Sequence, residues 1–422
     1  MLRRDLLKKS ACAATLVRLL PFASSQVSAK SLRNEALFRD HPDAFWLRIR
    51  KEQFLLPDWR VFLNTGGLGV APKPVLDSIA HHLDLAATLV SDDLLYWGGP
   101  AHDDIRQELA TFFGCRLQEL ALTHNTTEGM NIVANGLDLK EGDEVLMTDQ
   151  EHPGGASCWY QKQSRFGITV RQVRVPLPSK SQDDIADRLV SAIGPRTRLL
   201  SFSGITSPTG LVLPVRSICD VARAKGVITL VDAAHMPGQV PLNFHELGCD
   251  FLACSPHKWM MTTSGCGLFY GREEMLERLW VNIAAGGWDQ KNAKSVRFQL
   301  VGTNNLAIIH GMISALRFLQ QLGTERVYGR IHQLARDVLK RGQEIPALEV
   351  LTPDDDRMFA GMVAFRIKSQ DRAHFWNLCK QRRIWLLPAQ ATPGDRIRVS
   401  THIHTRRSDL DLLFQTLQEG LA

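Results

Sequence analysis

The chain has 422 residues, 44% hydrophobic and 22% charged, the composition of a globular protein with room for more than one core. No run approaches the roughly 20 apolar residues of a membrane-spanning helix, so membrane insertion is not expected. Of the net charge of +6, the first 29 residues carry +4, and the nearly balanced remainder gives no reason to expect a nucleic-acid partner.

Those 29 residues read as an address. Arg3-Arg4-Asp5-Leu6-Leu7-Lys8 resembles a twin-arginine export motif, a modest apolar stretch runs from Ala11 to Phe22, and Val27-Ser28-Ala29 offers small residues for cleavage. Export predicts a periplasmic protein. A basic N-terminal helix that stays attached is the alternative, and it predicts a cytoplasmic one. The eight cysteines are scattered singly, Cys249, Cys254 and Cys266 within apolar runs, which fits neither a disulfide framework nor a metal cluster.

From about residue 76 to 275, short apolar runs alternate with helix-like segments, the pattern of a mainly parallel sheet covered by helices. Strands are expected at 120–123, 144–148, 168–175, 197–203, 227–231, 251–254 and 267–270. The last follows its predecessor with no room for a crossover helix, so it is expected to be antiparallel. A helix at 306–322 leads into a second region with apolar runs at 362–367 and 397–399. The expected division is a leader (1–29), an N-terminal segment packing with the small domain (30–75), a large domain (76–305) and a small α+β domain (306–422).

In an open α/β sheet, ligands sit beyond the carboxyl ends of the strands, and four of these ends carry unusual polar groups. After 120–123 come His124-Asn125-Thr126-Thr127. Asn125 or Thr126 can cap a helix there, and the Thr126 and Thr127 hydroxyls can donate to a phosphate at its N-terminus; an ordinary capped helix explains the same residues. After 144–148, His152 can stack on a flat aromatic ring or be a surface histidine. Asp232 ends the strand at 227–231. Burying a carboxylate is costly unless it meets a cation or donors; a protonated pyridine nitrogen, a helix N-terminus and a magnesium ion all qualify.

The fourth end is Ser255-Pro256-His257-Lys258. A lysine directly after an apolar strand and beside a histidine is pushed toward the neutral amine that imine formation needs. Ser255 and His257 can reach a phosphate on the same ring. A surface lysine would explain Lys258 but not its company.

Other motifs fail or stay open. His245-Glu246-Leu247-Gly248-Cys249 lacks the second histidine of a zinc-protease motif, and no phosphate-binding G-x-x-x-x-G-K-[ST] loop occurs. His402 and His404 share one face of an expected strand, as metal ligands or as a solvated or active-site strand end. Trp97, beside Gly98-Gly99, is placed to wall a substrate pocket or to pack in a core. No metal is expected.

The order of hydroxyl turn, histidine, aspartate and Ser-x-His-Lys resembles the class V aminotransferase family of pyridoxal-phosphate (PLP) fold-type I enzymes, from about Phe62 to Thr405. Phe62-Leu63-Asn64-Thr65-Gly66-Gly67-Leu68-Gly69 is similar to that family's opening segment. Ile205-Thr206-Ser207-Pro208-Thr209-Gly210 and Val231-Asp232-Ala233-Ala234-His235-Met236-Pro237-Gly238 resemble its isopenicillin N epimerase-like branch. The resemblance implies an α/β large domain with a seven-stranded, mostly parallel sheet, a smaller α+β C-terminal domain, and PLP as cofactor.

It also implies residue roles. Lys258 would carry the cofactor as a Schiff base and shuttle protons at the substrate α-carbon. Asp232 would pair with the pyridine N–H, and His152 would stack on the ring. His235 and Thr206 would lie near the ring hydroxyl, and Thr126, Thr127, Ser255 and His257 would hold the phosphate. Thr303 would reach the phosphate of a neighbouring subunit, which implies a homodimer with shared sites. Arg398 would clamp the α-carboxylate of a small amino substrate, with Asn64 reaching the same molecule. Aminotransfer or epimerisation of an amino acid or amino-acid-derived metabolite is the expected chemistry. A lyase or decarboxylase tailoring a secreted peptide, and a non-catalytic binding protein, are the alternatives. Desulfuration is not expected, because 388–398 holds no cysteine nucleophile and Cys379 falls in a helix-like run.

Overall fold

The computed structural model describes residues 32, 34–90, 100–369, 372–387 and 395–421. The basic leader, Trp97 and the 388–394 part of the stretch before Arg398 lie outside the described residues.

The strands are β1 (Val61–Phe62), β2 (Leu120–Thr123), β3 (Glu144–Thr148), β4 (Thr169–Val173), β5 (Thr197–Ser203), β6 (Ile228–Asp232), β7 (Phe251–Cys254), β8 (Gly267–Gly271), β9 (Leu348–Val350), β10 (Met362–Ile367), β11 (Ile384–Trp385) and β12 (Arg396–Ser400). Seven form one sheet in the order β2-β8-β7-β6-β5-β3-β4, in which β8 alone runs against its neighbours. The apolar runs expected as strands are therefore all present. The edge strand β4 is shorter than 168–175, ending near the left-handed Gly167 on one side. β6 sits one residue later than expected, so Asp232 is its last residue.

Alternation of side chains along each strand fills two helical layers. Leu199, Leu230, Phe251 and Ala253 pack with Met130, Val133 and Trp159 of the helices Thr126–Gly136 and Pro153–Phe166. Leu200, Val231, Leu252 and Cys254 face the other way, against Leu109, Ile185, Leu189 and Ile218. Each fully buried aliphatic or aromatic side chain contributes about 1.5–3 kcal/mol, which is why these strands carry almost no interior polar group until their carboxyl ends.

The remaining strands make a three-stranded antiparallel sheet, β12-β10-β9, and a parallel pair, β1-β11. Val61 and Leu63 share an apolar core with Phe365, Ile397, Val399, Leu413 and Phe414. Leu63 accepts from Ser400 N at 2.9 Å, and Asn64 bridges to Ser400. With Ile397 and Val399 buried in that core, Arg398 between them faces the opposite side.

Candidate active site

Asp232 stands beside Ala253 in the register of β6 and β7. The chain leaves β7 and turns at once, with Lys258 N donating to Ser255 O at 3.2 Å. This brings Lys258 back over the end of β6, where its Nζ lies 3.1 Å from His235 Nε2. Burial, opposed by the Asp232 charge and reinforced by Arg398, pushes the Lys258 ammonium down to about 8. The loop carrying Gly69 packs on this turn, Gly69 N donating to His257 O at 2.8 Å; a Cβ at Gly69 would stand 2.0 Å from Lys258 O. Only glycine fits there.

Burial raises the pKa of the Asp232 carboxyl. Its Oδ1 accepts from Ala234 N at 2.9 Å, and among the described residues no cation pairs with it in a salt bridge. Its Oδ2 faces Gly155, where a Cβ would come within 2.7 Å. A buried acid with one oxygen unbonded and a helix pared down to glycine beside it is a seat for a protonated ring nitrogen.

The phosphate end is equally built. Asn125, not Thr126, caps the helix Thr126–Gly136, its Oδ1 accepting from Glu128 N at 2.9 Å. That leaves Thr126 free to face Ser255, whose Oγ lies 3.0 Å from Thr126 N and 2.7 Å from Thr126 Oγ1. Two hydroxyls meet at a helix N-terminus, where the backbone dipole favours an anion. Thr127 is exposed beside Gly154, and His257 is half-buried with its Nδ1 lacking a protein partner. Thr303 is exposed on the loop before the helix Leu306–Leu322 and is not hydrogen-bonded to the other site residues of its own chain.

His152 caps the helix Pro153–Phe166, its Nδ1 accepting from Gly154 N at 3.0 Å, which orients the ring at the mouth of the site, one edge toward solvent and the rest packed against protein. Burial, then the Lys258 charge, lowers its pKa, so the ring is neutral and apt to lie on another flat ring. Thr206 is buried and spends its hydroxyl in its own turn, on Thr209 Oγ1 at 2.8 Å and Leu211 N at 3.0 Å. It shapes the loop that presents Ser207 and is not bonded to His235.

Arg398 closes the opposite side. Its Nη1 donates to Ser207 O at 2.5 Å and to Ser207 Oγ at 3.2 Å, and its Nη2 to Asn64 Oδ1 at 3.1 Å. All three acceptors are neutral, and Nε is buried without a partner. Burial alone pulls the guanidinium down to about 10. A buried cation with no carboxylate among the described residues calls for an anion from outside the chain.

Three residues escape sequence reasoning. Ser207 was visible only as part of a loop motif. Glu151 immediately precedes His152, its carboxylate accepting from Thr148 Oγ1 at 2.5 Å and Ser203 Oγ at 2.7 Å; burial, despite those bonds, pushes it up to about 7. Its signal is an acidic residue three positions beyond the carboxyl end of β3, in the loop that leads to His152. Trp259 donates from its indole to His235 Nδ1 at 3.3 Å. One expectation is corrected. His402 and His404 are neither solvated nor on a strand: they follow β12 in a turn, fully buried and stacked on each other, with His402 also stacked on Trp259. The strand ends at Ser400, and the chain then dives under the lysine turn, where burial holds His402 down at about 4. Among the described residues no cluster fit to hold a metal ion occurs.

The sequence matches the aminotransferase class-V family over residues 61–413. Isopenicillin N epimerase of Amycolatopsis lactamdurans is 33% identical over 392 residues, 89% of this chain and 98% of the relative. That of Streptomyces clavuligerus is 31% identical over 390 residues, with the same coverage of 89% and 98%. A cysteine desulfurase of Haloferax volcanii is 28% identical over 334 residues, 73% of this chain and 75% of the relative. Among solved structures, a mutant of the cystine C–S lyase C-DES with glycine covalently linked to its PLP cofactor superposes with a TM-score of 0.74 at 28% identity, covering 86% of this chain and 97% of that one. The apo cysteine desulfurase of Thermococcus onnurineus NA1 has the same fold, with a TM-score of 0.75 at 21% identity over 88% and 97% of the two chains. With strand ends, lysine turn and family match in agreement along most of its length, the chain belongs to the aminotransferase class-V family of PLP-dependent, fold-type I enzymes.

Proposed function

We propose that the protein acts at the α-carbon of an amino acid, or of an amino-acid residue within a larger metabolite, by epimerisation or aminotransfer. PLP, when bound, supplies the electron sink that makes an α-C–H bond acidic. The chain does the rest. Lys258 offers the amine that holds the cofactor's aldehyde carbon, and Nζ then takes or returns the α-proton. Asp232 keeps a proton on the ring nitrogen, because a buried carboxylate stabilises the nearby cation it lacks. Thr126, Ser255 and their helix N-terminus hold the phosphate, and His152 covers the ring. Arg398 and Asn64 grip the substrate carboxylate.

The observation that carries this reading is Arg398, a buried guanidinium held by neutral oxygens and within electrostatic reach of Lys258. Likeness to two isopenicillin N epimerases over 89% of the chain supports epimerisation. Desulfuration needs a thiolate. Burial pushes the thiols of Cys115, Cys158, Cys219, Cys266 and Cys379 up to about 12, and those of Cys249 and Cys254 higher still.

The test is incubation of the holoenzyme with candidate amino compounds in deuterated water. α-Deuteration without keto-acid release supports epimerisation, and pyridoxamine phosphate accumulation supports aminotransfer. Borohydride labelling at a residue other than Lys258 would sink both.

Two further proposals concern setting. The exposed Thr303 and the exposed apolar side chains of Trp280, Ile283 and Trp288 on the preceding stretch support a homodimer in which Thr303 serves the second copy; sedimentation as a monomer at working concentration would count against it. The Arg3-Arg4 leader supports periplasmic export, and a reporter fused after Ala29 that stays cytoplasmic would exclude it.

A further inference from the structure

We infer that Trp259 is a positioning residue that fixes which nitrogen of His235 carries the proton, and that it thereby presents Lys258 as a neutral amine. The inference rests on Lys258 being the cofactor lysine.

An indole N–H can only donate. Trp259 Nε1 aims at His235 Nδ1 from 3.3 Å, so Nδ1 must be the bare, accepting nitrogen. His235 is buried, with the cations Lys258 and Arg398 and the rings of His152 and His257 around it. Burial, then the Lys258 and Arg398 charges, drives its pKa well below the usual histidine range, so the ring is neutral. A neutral imidazole with bare Nδ1 carries its one proton on Nε2. Nε2 lies 3.1 Å from Lys258 Nζ. That contact is a hydrogen bond only if Nζ accepts, and a lysine nitrogen accepts only through the lone pair of the free amine. The same lone pair is the nucleophile that captures an aldehyde.

The opposite tautomer would set the indole N–H against a ring N–H and leave both buried donors unsatisfied. The indole has no room to turn away. It is fully buried, its six-membered ring meets Gly361, where a Cβ would come within 2.5 Å, and its carbonyl accepts from His402 Nε2 at 3.0 Å. The His235 backbone is pinned in turn: Gln239 donates to its carbonyl and accepts from Gly361 N at 2.9 Å. The buried His402 thus acts on the lysine turn from beneath, by holding Trp259.

The groups facing Lys258 set the direction of the test. Asp232 at the end of β6 favours the ammonium, whereas Arg398 on β12 and burial oppose it; His152 and His257 are neutral neighbours whose own pKa values Lys258 lowers. Trp259→Phe keeps an aromatic ring in the pocket but removes the donor. His235 can then protonate Nδ1 and turn a bare Nε2 to the lysine, which favours the ammonium. Full-length protein stripped of cofactor should capture pyridoxal phosphate with a rate that rises with pH. Its midpoint should move up by about one unit in Trp259→Phe, a roughly tenfold slower capture at neutral pH.

Nitrogen-15 spectra of histidine-labelled protein give the direct readout. His235, assigned by its loss in His235→Gln, should be neutral and protonated on Nε2 at pH 9, where Lys258 is the free amine. A proton on Nδ1, or a folded Trp259→Phe with an unmoved midpoint, overturns the inference; should the variant not fold, the spectra of the unaltered protein decide alone. If pyridoxal phosphate never attaches at Lys258, the functional reading fails instead, whatever tautomer His235 adopts.

Discussion

The two ends of the site are assembled in different ways. At the cofactor end, Asp232 closes its strand and Thr126, His152 and Lys258 follow the carboxyl ends of theirs within one sheet, so their spacing in space is the spacing of the strands. At the carboxylate end, Arg398 reaches Asn64 and Ser207, which stand 334 and 191 residues away and lie on loops. The first end is a property of the sheet and varies little with anything outside it. The second depends on β1 pairing with β11 and on Ser400 N meeting Leu63 O, contacts that tie residues 61–64 to the C-terminal region. Chemistry at the first end can therefore be common to many enzymes while selectivity is tuned at the second.

The comparison breaks most visibly at Asp232. Asp232→Asn keeps the shape but withdraws the charge from the ring nitrogen, and kcat should fall by about 100-fold or more with KM little changed. A variant that loses only KM would mean the two ends are not separable. Arg398→Lys is the converse. One point charge replaces a fork that serves Ser207, Asn64 and an incoming carboxylate together, so kcat/KM should drop by about 2–3 kcal/mol, mostly through KM. The visible band of the lysine-bound cofactor should stay as it is; its loss would show that Arg398 also supports the cofactor. Asn64→Ala removes one neutral acceptor and should cost about 1 kcal/mol in the same measurement.

The same division explains what could be read in the sequence. The parallel strands read as apolar runs, and the polar residues at their ends make Asp232 and Lys258 candidates; solvation alone leaves a helix N-terminus or a magnesium ion open for the one and a surface lysine for the other, and the family resemblance makes the choice. The roles of Asn64 and Arg398 came only with the family resemblance, since nothing in local periodicity says that segments 334 residues apart will touch. His402 and His404 misled because a His-x-His pair after a strand reads as polar. In the structure the stacked rings are core, and only the carbonyl of Trp259 shows what one of them does. Trp259 and Glu151 were invisible for a related reason: their meaning lies in which atom they face.

Glu151 provides the smallest effect and places it at the cofactor end. In the folded chain its carboxyl is pushed up to about 7 by burial, opposed by Ser203 and Thr148 and aided by the Asp232 charge. Unfolded, it titrates near 4.3. Between these values the folded state binds more protons than the unfolded one, so this group's contribution to stability falls as pH rises through the window and is fully lost above about 7. Glutamine holds the same two hydroxyl neighbours without titrating. Glu151→Gln should therefore gain on the unaltered protein between pH 5 and pH 8, by on the order of 1 kcal/mol once the partial exposure of the residue is allowed for. Denaturation midpoints of the two proteins, measured at both pH values and at one protein concentration, should diverge on the alkaline side. Parallel curves would mean that Glu151 keeps one protonation state across this range, and that burial does not raise its carboxyl.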